Sequence, residues 1–233
     1  MRPVFVLVHS PSVGPSTWAG VGNRLAAAGC DVVIPSLLDV GDGEPPYWPR
    51  VVAGVARALE GRPAERELSL VLHSNAGLFA PVLVEHLGRP VSSCLLVDAA
   101  LPERAGSTSV AAPDWLEVLR AKAVDGRLPP WSQWWDEADI APLFPDAAAR
   151  AALTAEEPSL PIAYYEQRIP VPASWSGVAC GYLLFGPPYE EAAADARERG
   201  WLVEQVAGLH LHQMVDPAAV AERLLGMADR LRT

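Results

Sequence analysis

Hydrophobic residues along this chain follow two rhythms. Short, almost unbroken apolar runs occur at residues 4–9, 31–34, 68–73, 93–98, 181–185 and 201–206. Their lack of polar alternation and their β-branched content suit strands buried on both faces. Between them lie stretches with apolar residues at helical spacing: 18–28, 48–59, 75–87, 190–199 and 216–232. Gly29 supplies a stop for the first of these, and Asp216 with Pro217 supplies a cap and a first-turn proline for the last. Strand and helix alternating in this way predict an α/β fold, with a mostly parallel central sheet and helices on both faces.

The rhythm fails between residues 102 and 176. No strand pattern stands out there, only helix-like pieces at 115–124, 136–143 and 146–155. Five of the eight tryptophans fall in this stretch: Trp115, Trp131, Trp134, Trp135 and Trp175. The expected organisation is a core of residues 1–101 and 177–233, interrupted by a helical cap insertion at 102–176. Such an insertion belongs over the carboxyl edge of the sheet, where open α/β folds bind ligands.

Composition narrows the function. A chain of 233 residues, half of them hydrophobic, suits one α/β domain with a sizeable core. The net charge of -10 and the lack of a basic cluster argue against nucleic acid and anionic membrane as partners, which leaves a small-molecule substrate. No apolar run approaches the roughly 18 residues of a membrane span, and the apolar stretch at residues 4–8 is too short for a signal peptide. Cys30, Cys94 and Cys180 are odd in number and far apart, so they read as buried thiols in a reducing compartment, and the expected location is the cytoplasm. No Cys/His cluster has metal-ligand spacing, and Gly41-Asp-Gly43 lacks the pattern of a nucleotide loop, so no metal or other cofactor is expected.

The chemistry centres on Leu68-Ser-Leu-Val-Leu-His-Ser-Asn-Ala-Gly77. An apolar strand ends in Ser74, small residues follow, and a helix-compatible run comes next. A sharp strand-to-helix turn of this kind presents a serine hydroxyl above the sheet. The usual form is Gly-x-Ser-x-Gly; here Leu72 and Ala76 hold the glycine positions and Gly77 stands one place late. A serine hydroxyl is a weak nucleophile and needs a base. His210, just after the last expected strand and before the helix at Asp216, is placed to reach back over the sheet edge, with His212 as its rival. His73 beside the serine reads as structural. Trp131, Trp134 and Trp135 either form the core of the insertion or line an apolar substrate pocket.

The order of strand, serine turn, acid and late histidine resembles the α/β-hydrolase superfamily. The segment Leu7-Val-His-Ser-Pro-Ser-Val-Gly-Pro-Ser-Thr-Trp18 looks like the family's His-Gly loop, and residues 23–35 resemble the helix and strand that follow it. The resemblance covers nearly the whole chain outside the insertion. It implies Ser74 as nucleophile and His210 as base. In the commonest family pattern the acid stands shortly after the strand at 181–185, where this chain has Tyr189 followed by Glu190. Some relatives place it one strand earlier, where Asp98 stands. Asp98 and Glu190 are thus alternative acids. The resemblance also implies an oxyanion hole with one N–H from Asn75. The other usually follows His-Gly, but here His9-Ser10 is followed by Pro11, which has no N–H to give. The donor is expected to shift to Ser12, with Ser10 and Pro11 beside the substrate. The expected function is a serine hydrolase cleaving a small, partly apolar ester, thioester, lactone or amide through an acyl-enzyme. The alternatives are a non-hydrolytic epimerase, cyclase or lyase on the same fold with His210 as proton shuttle, and a non-catalytic binding protein.

Overall fold

A computed structural model describes residues 2–232. Six parallel strands form the central sheet: Val4–Val8 (β1), Asp31–Val33 (β2), Leu68–His73 (β3), Val91–Val97 (β4), Cys180–Leu184 (β7) and Leu202–Gln205 (β8). Their order is β2-β1-β3-β4-β7-β8, and every neighbouring pair is parallel. From β1 the chain first moves outward to β2, then returns to the other side of β1 as β3. That reversal opens a crevice above the carboxyl ends of β1 and β3.

The period of two explains why the strand sequences are so apolar. Val4, Val6 and Val8 of β1, Leu70 and Leu72 of β3, Leu96 of β4 and Tyr182 of β7 face one core layer. Phe5, Leu7, Val71, Leu95, Val97 and Leu183 face the other. Each layer is covered by helices. Trp48–Ala58 (α2), Ala80–His86 (α3) and Glu190–Glu198 (α8) bury Val51, Val55, Val82, Leu83 and Ala193 on the first side. Ser16–Ala27 (α1) and Pro217–Leu231 (α10) bury Trp18, Val21, Leu25, Val220, Leu224 and Met227 on the second. Each such valine, leucine or methionine side chain contributes about 1.5–3 kcal/mol. The predicted start of α10 is found as expected, with the Asp216 carboxylate accepting from the Ala219 N–H at 2.9 Å and Pro217 in the first turn.

Residues 102–176 contain helices Pro113–Lys122 (α4), Glu137–Ile140 (α5), Ala147–Thr154 (α6) and Ile162–Glu166 (α7). They also contain two strands that the hydrophobic pattern does not announce, Gly106–Ser109 (β5) and Arg168–Val171 (β6), paired antiparallel. Three of the four residues of β5 are serine, threonine or serine, and β6 carries Pro170, so neither shows an apolar alternation long enough to read. The helix after Ser74 differs too: it begins as a 3-10 turn, Ser74–Phe79, before α3. A short helix, His212–Val215 (α9), precedes α10.

Candidate active site

The site is built from loops at the carboxyl ends of five strands. Ser74 follows β3 at φ 60°, in the left-handed region that a residue with a side chain occupies at a cost of about 1–3 kcal/mol. The glycine this turn requires is Gly77. A Cβ there would lie 2.4 Å from the carbonyl oxygen of Ala100, so only a bare backbone lets the turn approach the end of β4. The same approach lets the Ala100 N–H donate to the Ser74 carbonyl at 3.1 Å. Leu72 and Ala76, at the customary glycine positions, are fully buried in the first core layer.

Asp98 follows β4, also with positive φ, 42°, and its side chain is fully buried. One carboxylate oxygen accepts the N–H groups of Phe185 and Gly186 at 3.0 and 3.4 Å. The other lies 2.7 Å from Nδ1 of His210. A carboxylate accepts only, so Nδ1 carries the proton and Nε2 keeps its lone pair. That Nε2 sits 3.0 Å from Oγ of Ser74, which donates to it. Ser74, His210 and Asp98 are therefore brought together. The two competing residues are elsewhere: His212 faces the ring of Phe185 at 5.6 Å between centroids, and Glu190 is exposed at the start of α8.

Two further residues support His210. Nε2 of His73 donates to the His210 carbonyl at 2.8 Å, and the two rings lie 4.6 Å apart. Burial, reinforced by the facing His210, pushes the His73 pKa well below the ordinary value. His73 thus stays neutral and pins the His210 backbone. Tyr189, after β7, stacks on the His210 ring at 5.1 Å and 21°, with its hydroxyl 3.5 Å from Ser74 Oγ. The loop of Tyr189 can approach that of His210 because it carries Gly186, where a Cβ would lie 2.8 Å from the Gly208 carbonyl. Burial raises the Tyr189 pKa to about 12, so the phenol keeps its proton.

The other side of Ser74 is tied to residues 102–176. The Asn75 side chain accepts from the hydroxyl of Tyr164 at 2.6 Å and donates to the Val110 carbonyl at 3.2 Å. Oγ of Ser12 lies 2.6 Å from the hydroxyl of Tyr165. The Ser12 N–H already has a long contact, 3.4 Å, to Oγ of Ser10. Pro11, between them, is buried. His9 holds the start of this loop: Nδ1 donates to the Ser10 carbonyl at 2.8 Å and Nε2 accepts the Leu37 N–H at 3.1 Å. Burial lowers its pKa to about 4, which keeps that pair of bonds intact at neutral pH. Glu156, just after α6, accepts the Ser16 N–H at 2.9 Å at the start of α1.

The three tryptophans proposed for substrate binding differ in place. Trp134 is buried, donates to the Pro129 carbonyl at 2.8 Å and meets Tyr165 edge-on at 5.8 Å. Trp131 is half-buried and packs beside Val13 and Leu211, the neighbours of Ser12 and His210. Trp135 is 41% exposed and stacks on Trp115 at 5.7 Å. Among the described residues, no group of three or more His, Cys, Asp or Glu side chains is arranged to hold a metal ion, and no helix is long and apolar enough to cross a membrane. Tyr164, Tyr165 and the reach of Tyr189 to Ser74 were not foreseen from the sequence. Only Tyr189 carried a signal, its place at the family's usual acid position.

No protein-family model matches the chain, and no curated protein matches it. Solved structures do. An extracellular α/β-hydrolase from a Paenibacillus species is 16% identical, with a TM-score of 0.76 over 97% of this chain and 99% of that one. A variant of tomato methylketone synthase I, in complex with beta-ketoheptanoate, is 15% identical, with a TM-score of 0.79 over 99% and 98%. A methylesterase from Arabidopsis is 14% identical, with a TM-score of 0.73 over 98% and 100%. The chain has the α/β-hydrolase fold over its whole length.

Proposed function

We propose that this protein is a serine hydrolase that cleaves a small, partly apolar ester, thioester, lactone or amide through an acyl-enzyme. The observation that carries the reading is the continuous relay from Asp98 to His210 to Ser74, at 2.7 and 3.0 Å. In this reading His210 takes the Ser74 proton as Oγ attacks the carbonyl carbon. Asp98 holds the imidazole in the tautomer that can accept, and stabilises the imidazolium that forms. His210 then protonates the leaving group. In the second half-reaction it activates the water that releases the acid. The oxyanion is held by the Asn75 N–H and by a displaced donor of the Ser10–Ser12 loop. Residues 102–176 act as a cap over this site, with Trp131 packed beside Val13 and Leu211. The chemistry needs no cofactor. The three free, buried thiols of Cys30, Cys94 and Cys180 favour a reducing compartment.

A fluorophosphonate probe tests the reading. It should label Ser74 in the wild type and leave Ser74→Ala unlabelled. Absence of labelling, under conditions that label a known serine hydrolase, would refute the nucleophile.

A second reading is favoured by one observation. The loop after β1 lacks the N–H that Pro11 removes, and the next amide, of Ser12, is turned to Ser10 Oγ. A poor oxyanion hole suits a lyase, epimerase or cyclase that uses His210 as a proton shuttle. The fold is shared by a methylketone synthase as well as by esterases. Turnover in water enriched in ¹⁸O separates the two, since only hydrolysis places solvent oxygen in the product acid.

A further inference from the structure

The sheet order divides the surroundings of Ser74 into two sides. β1, with Ser10 to Ser12 beyond it, lies on one side of β3; β4, β7 and β8, with Asp98, Tyr189 and His210 beyond them, lie on the other. In acyl transfer at Ser74 the carbonyl oxygen turns toward Asn75 and the β1 loop. The leaving group turns toward His210 Nε2, because that nitrogen must hand it a proton. Tyr189 belongs to the leaving-group side. Its ring lies nearly parallel to His210, 5.1 Å away at 21°, and its hydroxyl lies 3.5 Å from Ser74 Oγ, the atom that His210 Nε2 also meets, at 3.0 Å. That distance is long for a bond between hydroxyls, and Ser74 is its only hydrogen-bond contact among the described residues. The phenol proton is thus free to be given to a substrate atom.

We propose that the Tyr189 hydroxyl is a further catalytic group of this site, that it donates a hydrogen bond to the leaving-group oxygen, and that this directs the site to esters of simple aliphatic alcohols. The inference rests on the serine-hydrolase reading above. As the bond from Ser74 Oγ to the carbonyl carbon forms, the Ser74 proton passes to Nε2 of His210. When the tetrahedral intermediate collapses, the bond from carbon to the leaving oxygen breaks and Nε2 delivers that proton to it, giving a neutral alcohol. Tyr189 keeps its own proton throughout and shares it only as a hydrogen bond. A phenol that stays neutral to about pH 12 can do this across the working range. An aliphatic alkoxide is a strong base and a poor leaving group, so it gains most from a second donor. A nitrophenolate spreads its charge over the ring and gains little.

The test compares wild type and Tyr189→Phe on methyl, trifluoroethyl and nitrophenyl esters of one short acid, together with the rate of fluorophosphonate labelling. The phenylalanine keeps the ring stack and removes only the hydroxyl. We expect kcat on the methyl ester to fall roughly 10- to 100-fold, the worth of a hydrogen bond to a charged acceptor, with an intermediate loss on the trifluoroethyl ester. Nitrophenyl ester turnover and labelling should change less than about twofold. Equal losses on all three esters would overturn the proposal and make Tyr189 a plate that orients His210. So would an unchanged methyl ester rate, or a wild type that turns over no methyl ester. Should Tyr189→Phe misfold, Tyr189→His, which restores a ring and a donor, must keep the methyl ester activity. A wild type unlabelled at Ser74 signals failure of the underlying reading by a separate readout.

Discussion

The two sides of Ser74 are built in different ways. On the base side, Asp98, His210 and Tyr189 stand on strand ends of the central sheet. They are fixed by backbone groups: Asp98 by the amides of Phe185 and Gly186, His210 through its carbonyl by His73, and the two loops by contact between Gly186 and Gly208. On the side proposed to hold the oxyanion, Asn75 and Ser12 are held by side chains distant in sequence, the consecutive residues Tyr164 and Tyr165 of α7. The base side is thus part of the sheet's own rigidity. The oxyanion side leans on the docking of residues 102–176 as well as on the bonds that His9 makes to Ser10 and Leu37. In the proposed mechanism, proton transfer thus rests on the central sheet and electrostatic stabilisation partly on contacts from residues 102–176.

The largest test of this contrast strikes the base side. Asp98→Asn should lower kcat by roughly 10²–10⁴, by the effect of losing the group that sets the histidine tautomer, while circular dichroism stays unchanged. Glu190→Gln should leave activity near wild type. A crippled Glu190→Gln beside an active Asp98→Asn would reverse the assignment of the acid.

The oxyanion side should show its weakness on unassisted substrates. With the N–H at Pro11 missing, short-chain nitrophenyl esters should be turned over with kcat/KM below about 10⁴ M⁻¹s⁻¹, since one oxyanion donor is worth roughly 10²–10³ in rate. A value above that range would mean that the β1 loop supplies a full donor pair.

Acid should loosen the oxyanion side through His9. Its pKa is lowered to about 4 in the folded protein, against about 6.5 in an unfolded chain. As pH falls below 6.5 the unfolded state takes up the proton first, so stability is complete above that pH and declines toward pH 4. The loss from His9 alone is about 3 kcal/mol. Urea unfolding at pH 7 and pH 4 should therefore show a steeper decline for wild type than for His9→Gln. Parallel declines would show that His9 is not held neutral.

The smallest effect should come from the insertion. Tyr165→Phe removes the hydroxyl that meets Ser12 but keeps the ring against Trp134. We predict a loss of about fivefold in kcat, consistent with one neutral hydrogen bond of about 1 kcal/mol, and a slower labelling of Ser74 by fluorophosphonate. Tyr164→Phe should behave alike through Asn75. If both leave labelling untouched, the two sides are equally self-supporting and the contrast fails.

The sequence by itself determined the sheet and its covering. Strand runs such as Val4 to Val8 and Leu68 to His73 have to be buried on both faces, and a period of two with helices between them admits few other folds. It also marked Ser74 by the strand-to-helix turn and His210 by its loop before the Asp216 cap, because local chain geometry controls both. The short strands β5 and β6 were invisible, since β5 is made of glycine, serine and threonine and β6 is four residues interrupted by Pro170, and their pairing with each other makes them strands. The choice of Asp98 over Glu190 was open along the chain. The structure brings two amides and one imidazole to the Asp98 carboxylate, which they meet only when β4, β7 and β8 are side by side, and leaves Glu190 exposed. The roles of Tyr164, Tyr165 and Tyr189 lay further from view. A tyrosine reads the same in a core and at a catalytic serine. Only tertiary structure decides where its hydroxyl ends, because that single polar atom is placed by contacts up to 153 residues away.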